Sequence, residues 1–316
     1  MSDAFTHLLL PYEGVDEFVG ATLPFLRDGL AAGDRIVVVT GLATRTLLAG
    51  ELGGDAGRVE FADAATWYDH PARTLARAVA DADELGAHGR RLRLLTEPAW
   101  TRRAPREVGE WQRVEALANA AFARTGASIM CPYAVKRLPA GVVADARRTH
   151  PGTARGPCTK VNPGFVEPRA YCVRRDREPL PPRPEGTRVL QLHSPDLFWI
   201  RAWIADGARG ARLPEDATQR LLVAATEVIT NALRHGAPPI TLSLWPQPGE
   251  VVCEVTDGGR WPDGSWFGQL PPPPGRPGLL GLWAVRLLCS DVRIRTGDTG
   301  TVVRMHVDVP AHGNTG

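Results

Sequence analysis

The 316-residue chain has few cysteines, almost no lysine and no long apolar run, and each shortage narrows what it can be. Its five cysteines (Cys131, Cys158, Cys172, Cys253 and Cys289) are scattered, odd in number and never spaced as CxxC. That argues against a disulfide framework and against a structural zinc site, and it suits a reducing cytoplasm. No stretch of about eighteen apolar residues occurs, so no transmembrane helix is expected. The N-terminal "MSDAFTHLLLPYEG" lacks the basic region and cleavage pattern of a signal peptide. Lys136 and Lys160 are the only lysines; the other cations are arginines, spread along the chain and balanced by acids to a net charge of +2. With alanine also abundant, a compositional bias explains the arginines better than a nucleic-acid surface does, and no direct nucleic-acid partner is expected.

What is present reads as two globular domains, with 43% hydrophobic and 23% charged residues. The segment "RRDREPLPPRPEGTR" (174–188) mixes charges with closely spaced prolines, which fix φ and remove donors. It reads as a linker over 174–187, between an N-terminal domain (1–173) and a C-terminal one (188–316). Ahead of it, "GDRIVVVTG" (33–41), "RLRLLTEPAW" (91–100) and "GASIMCPY" (126–133) have the pattern of buried parallel strands. Helical patterns at 15–30, 44–52, 71–86 and 106–125 alternate with them, giving an α/β layered domain. No GxxxxGK[ST] follows the first strand, so this domain has no Walker-type nucleotide loop.

Beyond the linker, helices are expected at 195–210, 214–235 and 279–289. Strands are expected at 188–193, 239–246 and 250–259, and a closing hairpin turns at Asp298–Gly300. Helices followed by a run of strands imply an α+β sandwich with the helices on one face. On the 214–235 helix, Leu221, Ala225, Val228 and Ala232 form an apolar stripe. Glu227 and Asn231, four apart in "EVITNALRHG", project from a neighbouring flank, and Gly236 suits the residue after the helix. An exposed Glu and Asn are by themselves usually a solvated face. Three further pieces follow in order, however. Asp257 ends a strand in "VTDGG", where Gly258 and Gly259 permit close approach to a ligand. Gly278 and Gly281 open a helix whose N–H groups suit phosphates. Gly300–Thr301 then starts the last strand.

This order, over about 190–310, resembles the Bergerat-type ATP-binding fold of histidine kinases, gyrase and the bacterial anti-sigma serine kinases. "ExxxNAxxHG" is most like the anti-sigma kinases. The resemblance implies ATP and Mg²⁺ as ligands, with Glu227 orienting or deprotonating the attacking hydroxyl and Asn231 holding Mg²⁺. It implies nucleotide contacts from Asp257, Gly259, Gly278, Gly281 and Thr301. His235 is expected to help end its helix. Leu279 and Leu280 stand where the family often has a glycine and a cation, and Pro271–Pro274 stiffen the loop before them. The N-terminal "HLLLPYEGVDEFVGATLPFLRDGLAAGDRIVVVT", "CPY" and "THP" resemble the MEDS sensory domain, a RecA-like fold without a working P-loop, over about 5–150. The pairing of the two is similar to RsbA-like anti-sigma regulators.

Three functional readings follow. In the first, the chain is an anti-sigma factor and serine kinase. Its partners would be a sigma factor or a STAS-domain antagonist; a sensory domain would gate it, and a homodimer is compatible with it. In the second it is a two-component histidine kinase, which needs a phosphoacceptor hairpin where only His193 stands near. In the third, the N-terminal domain is itself a site. Either Cys131 is a nucleophile, or His7, Cys131 and His150 gather around a metal or small ligand, though a buried cysteine is more often a small hydrophobe.

Overall fold

The computed structural model describes residues 4–193, 196–261, 266, 268–272 and 280–309. They fall into two compact units, Met1–Cys172 and Val173–Gly316. None of the described helices is long and apolar enough to cross a membrane.

In the first unit the chain runs β1 (Thr6–Tyr12), α1 (Val15–Ala32), β2 (Arg35–Thr40), α2 (Leu42–Leu52) and β3 (Glu60–Asp63). It continues through α3 (Ala64–Trp67), α4 (Pro71–Ala87), β4 (Leu92–Thr96), α5 (Pro105–Ala121) and β5 (Ser128–Ala134). The unit closes with α6 (Ala140–Thr149), β6 (Gly152–Arg155) and β7 (Cys158–Val161), and α7 (Pro168–Asp176) spans the boundary. The strand order is β3-β2-β4-β5-β1-β6-β7, parallel except for the β6–β7 pair. This is the expected α/β layering, with strands that the sequence reading lacked. The central β1 is one of them: it pairs with both β5 and β6 although "THLLLPY" shows no alternation. Residues alternate across β1 all the same. Leu8 and Leu10 join a core with Phe18, Leu26, Val38 and Met130, which leaves His7 and Leu9 to the opposite face. In register, His7 lies beside Ile129 and Leu9 beside Cys131, so His7 and Cys131 point to the same face of the sheet.

The second unit holds β8 (Arg188–Leu192), α8 (Leu197–Gly210), α9 (Glu215–His235), β9 (Ile240–Gln247) and β10 (Glu250–Asp257). After them come α10 (Leu280–Leu288), β11 (Asp291–Gly297) and β12 (Gly300–Asp308). The sheet order is β11-β12-β10-β9-β8, antiparallel throughout. One face buries Leu242, Leu244, Cys253, Val255, Val303 and Met305 against Ile200, Ile204, Leu221, Ala225 and Val228. This is the expected α+β sandwich with its helices on one face. Period-two alternation then puts Asp257, at the end of β10, on the helix side with Cys253 and Val255.

The joint differs from a free linker. Residues 174–176 are the last turn of α7, and the chain after them is fastened to the sheet of the second unit. Arg295 Nε donates to the Glu178 carbonyl at 2.6 Å, and Arg304 Nη1 donates to that of Pro181 at 2.8 Å. Arg183 Nε meets Glu254 Oε1 at 2.5 Å, and Arg304 holds the other oxygen of that buried carboxylate. Proline removes donors from this stretch but leaves its carbonyls free to accept, and those carbonyls are what the arginines use.

Candidate functional site

Helix α9 presents Glu227 and Asn231 from the flank beside its buried stripe, both half-buried. Neither side chain is engaged by a hydrogen bond or ion pair among the described residues. Helix α10 packs beside α9, and a methyl group on Gly281 would lie 3.5 Å from Glu227 Oε2 and 3.9 Å from Asn231 Nδ2. The second residue of α10 therefore lies next to both polar groups, with room for little more than a methyl between them.

The end of α9 meets the end of β10. Gly236 has φ −85° and ψ −168°, so it is not in the left-handed conformation expected of a helix-ending glycine. Its need is spatial: a Cβ there would come within 2.5 Å of Asp257 Oδ1 and 2.6 Å of the Ala232 carbonyl. Gly259 is confined from the other side, since its Cβ would sit 2.7 Å from the Gly236 α-carbon. The Gly258 N–H donates to the Ala237 carbonyl at 2.6 Å, which ties the strand end to the helix end. Asp257 is thus a buried carboxylate in a cradle of glycines, accepting from the Gly259 N–H at 2.7 Å. Burial raises its pKa above the ordinary 3.8, against the opposing pull of backbone N–H groups from Gly259 and Ala237.

Thr301 stands opposite Asp257 in register, fully buried, and its hydroxyl donates to the Gly259 carbonyl at 2.9 Å. Gly300 before it has φ +109°, and a Cβ there would collide with the Asp257 carbonyl. Glu227, Asn231 and Gly281 thus form one group, and Asp257, Gly259 and Thr301, with Gly236, form another at the α9 C-terminus. Gly278 and Leu279 lie outside the described residues. His235 is exposed in the last turn of α9.

In the first unit, His7, Cys131 and His150 come together, with a fourth residue the sequence reading missed. Glu115 Oε2 on α5 lies 3.1 Å from His150 Nε2 and 3.4 Å from His7 Nε2, and Cys131 Sγ is 3.5 Å from His7 Nε2. Burial opposes charge on Glu115, but hydrogen bonding and charge from His150 and His7 prevail and hold its carboxyl down at about 2. Burial, reinforced by His150, lowers His7 below 6.5. Burial and the neighbouring Glu115 push the Cys131 thiol well up, so a nucleophilic thiolate is disfavoured there.

Residues 6–151 match the family model of MEDS, the methanogen/methylotroph DcmR sensory domain, and residues 196–307 match that of the histidine kinase-like ATPase domain. The chain joins a MEDS domain to a histidine kinase-like ATPase domain. No curated protein matches it significantly. Among solved structures, the RsbU and RsbW domains of Rv1364c from Mycobacterium tuberculosis share 20% identity over 40% of this chain and 32% of theirs, with a TM-score of 0.31. The blue-light activated histidine kinase of Erythrobacter litoralis EL346 shares 21% over 34% of this chain and 40% of its own, with a TM-score of 0.27. The Acinetobacter baumannii histidine kinase AdeS shares 11% over 39% and 68%, with a TM-score of 0.24. The chain thus spans about a third of the length of the first of these.

Proposed function

We propose that the ATPase domain binds ATP with Mg²⁺ and transfers its γ-phosphoryl to a serine of a STAS-domain antagonist. In this reading the chain is a cytoplasmic anti-sigma regulator of transcription in a stress response, which also captures a sigma factor and is gated by the MEDS domain. The observation that carries the reading is the glycine cradle around Asp257. Gly236, Gly259 and Gly300 leave no room for a Cβ, and the carboxylate stays buried with no cation among its partners in the described residues. Such a group is built to accept from a ligand's amino group, as adenine offers. Thr301 is assigned the positioning of that turn, through its bond to Gly259. Asn231 would hold Mg²⁺, since its amide oxygen is a hard donor that no other group among the described residues engages. Magnesium there would neutralise phosphate charge and align the transferred group. Gly259 and Gly281 keep backbone within reach of the nucleotide, and Gly278 is assigned the same role on family resemblance alone. Glu227 takes the proton of the incoming serine hydroxyl as its oxygen bonds to phosphorus and ADP leaves.

The histidine-kinase alternative needs a two-helix hairpin ahead of α9. Among the described residues, β8 and the single helix α8 occupy that place. The test uses the full chain, radiolabelled ATP and purified STAS proteins of the source cell. Glu227→Gln is expected to keep Mg-ADP affinity within a few-fold while lowering transfer by about 10²–10⁴-fold. Asn231→Ala is expected to lose Mg-dependent affinity and transfer together. Equal failure of wild type and Glu227→Gln to phosphorylate a partner that both bind would leave a binding-only anti-sigma factor. A folded wild type with no affinity for adenine nucleotides would end the reading.

A further inference from the structure

Around the cluster in the MEDS domain, the hydrogen bonds fix where the imidazole protons sit. Asn119 Nδ2 donates to the carbonyls of Glu115, Ala116 and Thr149, at 3.3, 3.1 and 2.7 Å. Its Oδ1 is therefore the atom that faces His7 Nδ1 at 3.1 Å, and it can only accept. His150 Nδ1 lies 2.8 Å from the Ala146 carbonyl, which also only accepts, with the Thr149 hydroxyl at 3.1 Å. Both imidazoles accordingly carry their proton on Nδ1, and in the neutral form each Nε2 is a bare lone pair. The two Nε2 atoms converge on one carboxylate oxygen of Glu115, at 3.1 Å from His150 and 3.4 Å from His7, deep in the interior. Lone pairs do not gather in a dry interior without a cation between them.

We propose that His7, Glu115, Cys131 and His150 are the ligands of a single divalent transition-metal ion of the zinc class. Their ligand atoms all lie within 4.8 Å of one another, and the three short separations are 3.1, 3.4 and 3.5 Å. Metal–nitrogen and metal–sulfur bonds of about 2.0–2.3 Å give a tetrahedron with edges of about 3.3–3.6 Å, close to the three short separations, and the remaining ones need only a small contraction from within 4.8 Å. Two nitrogens, a thiol and one carboxylate favour a borderline-soft ion over magnesium or calcium. The Nδ1 contacts to Asn119 and Ala146 are the outer support that ligating histidines ordinarily have. A small cavity of about 60 Å³, lined by His7, Glu115, Cys131, Thr96, Leu75 and Phe122, borders the cluster and gives an ion a way in. The expectation of no structural zinc rested on the lack of cysteine pairs. A mixed set assembled from β1, α5, β5 and the end of α6 escapes that rule. The proposal stands apart from the nucleotide reading, and either can fail alone.

The test takes the full chain with its exposed cysteine removed, Cys158→Ser, stripped by a chelator and titrated with Co²⁺ alone. One Co²⁺ per chain is expected, with the strong visible bands of four-coordinate cobalt, a thiolate-to-cobalt charge-transfer band, and displacement by one equivalent of Zn²⁺. Cys131→Ser in this background should lose the charge-transfer band, and His150→Ala should weaken Co²⁺ binding by at least about tenfold. Loading the parent with ¹¹³Cd²⁺ needs no further variant and should give one resonance typical of a single thiolate among nitrogen and oxygen ligands. A parent folded by circular dichroism that shows no four-coordinate spectrum overturns the proposal. So does a charge-transfer band that persists in Cys131→Ser, or a cadmium resonance without sulfur character. A proton shared by His7, His150 and Glu115 would then be what holds the cluster together.

Discussion

The two domains each carry a glutamate and an asparagine four residues apart on a long helix: Glu115 and Asn119 on α5, Glu227 and Asn231 on α9. On α5 the pair is consumed by its surroundings. Asn119 satisfies three carbonyls and His7, while Glu115 is ringed by two imidazoles. On α9 the same two side chains sit half-buried with no partner among the described residues, facing a glycine. One spacing therefore serves two ends. Where protein atoms fill the hydrogen-bonding capacity, the pair builds structure; on α9 the described residues leave that capacity unfilled beside a bare backbone.

This contrast is sharpest in stability. Asn119→Ala strands the His7 Nδ1–H and the Thr149 carbonyl in the interior, so it should cost the MEDS domain about 2–4 kcal/mol, read by urea unfolding. Gly236→Ala forces a methyl against Asp257 and the Ala232 carbonyl. A cost of about 1–3 kcal/mol to the ATPase domain is expected, with loss of Mg-ADP binding by calorimetry. Asp257→Asn should move the other way. Because burial raises this carboxyl above 3.8, its ionised form opposes folding at neutral pH, and the opposition fades as pH falls through the raised value toward 3.8. The variant should melt about 1–2 °C higher at pH 7, converge with wild type in acid, and still bind nucleotide at least about tenfold more weakly. The smallest effect belongs to Asn231→Ala, within about 0.5 kcal/mol in stability. A loss as large as that of Asn119→Ala would erase the distinction between the pairs.

Much of the ATPase domain was legible because its signals are local. The stripe Leu221, Ala225, Val228 and Ala232 announces α9, and Asp257 follows a short run rich in β-branched residues. Strand β1 was not legible, since a strand buried on both faces shows no alternation and Pro11 argues against a central position. Glu115 was missed for a related reason. On an amphipathic helix it looks like any solvated glutamate, and only the packing of α5 over His7 and His150 makes it otherwise. His7, Cys131 and His150 could be named by type, but their meeting depends on the β1–β5 register and on where α6 ends. The anchoring of the joint was invisible because the groups that hold it, the carbonyls of Glu178 and Pro181, belong to the backbone.

That anchoring decides where this chain can be cut. A fragment begun at Thr187, after the prolines, would remove the Glu178 and Pro181 carbonyls that Arg295 and Arg304 hold and leave Glu254 with Arg304 but without Arg183. It would expose a charged sheet face that the intact chain keeps covered, inviting aggregation that could be mistaken for failure to bind nucleotide. The boundary between the two compact units lies ahead of the prolines, at Val173 within α7, so the strap belongs to the same unit as the sheet it covers, and a fragment that keeps that sheet covered must begin before the strap.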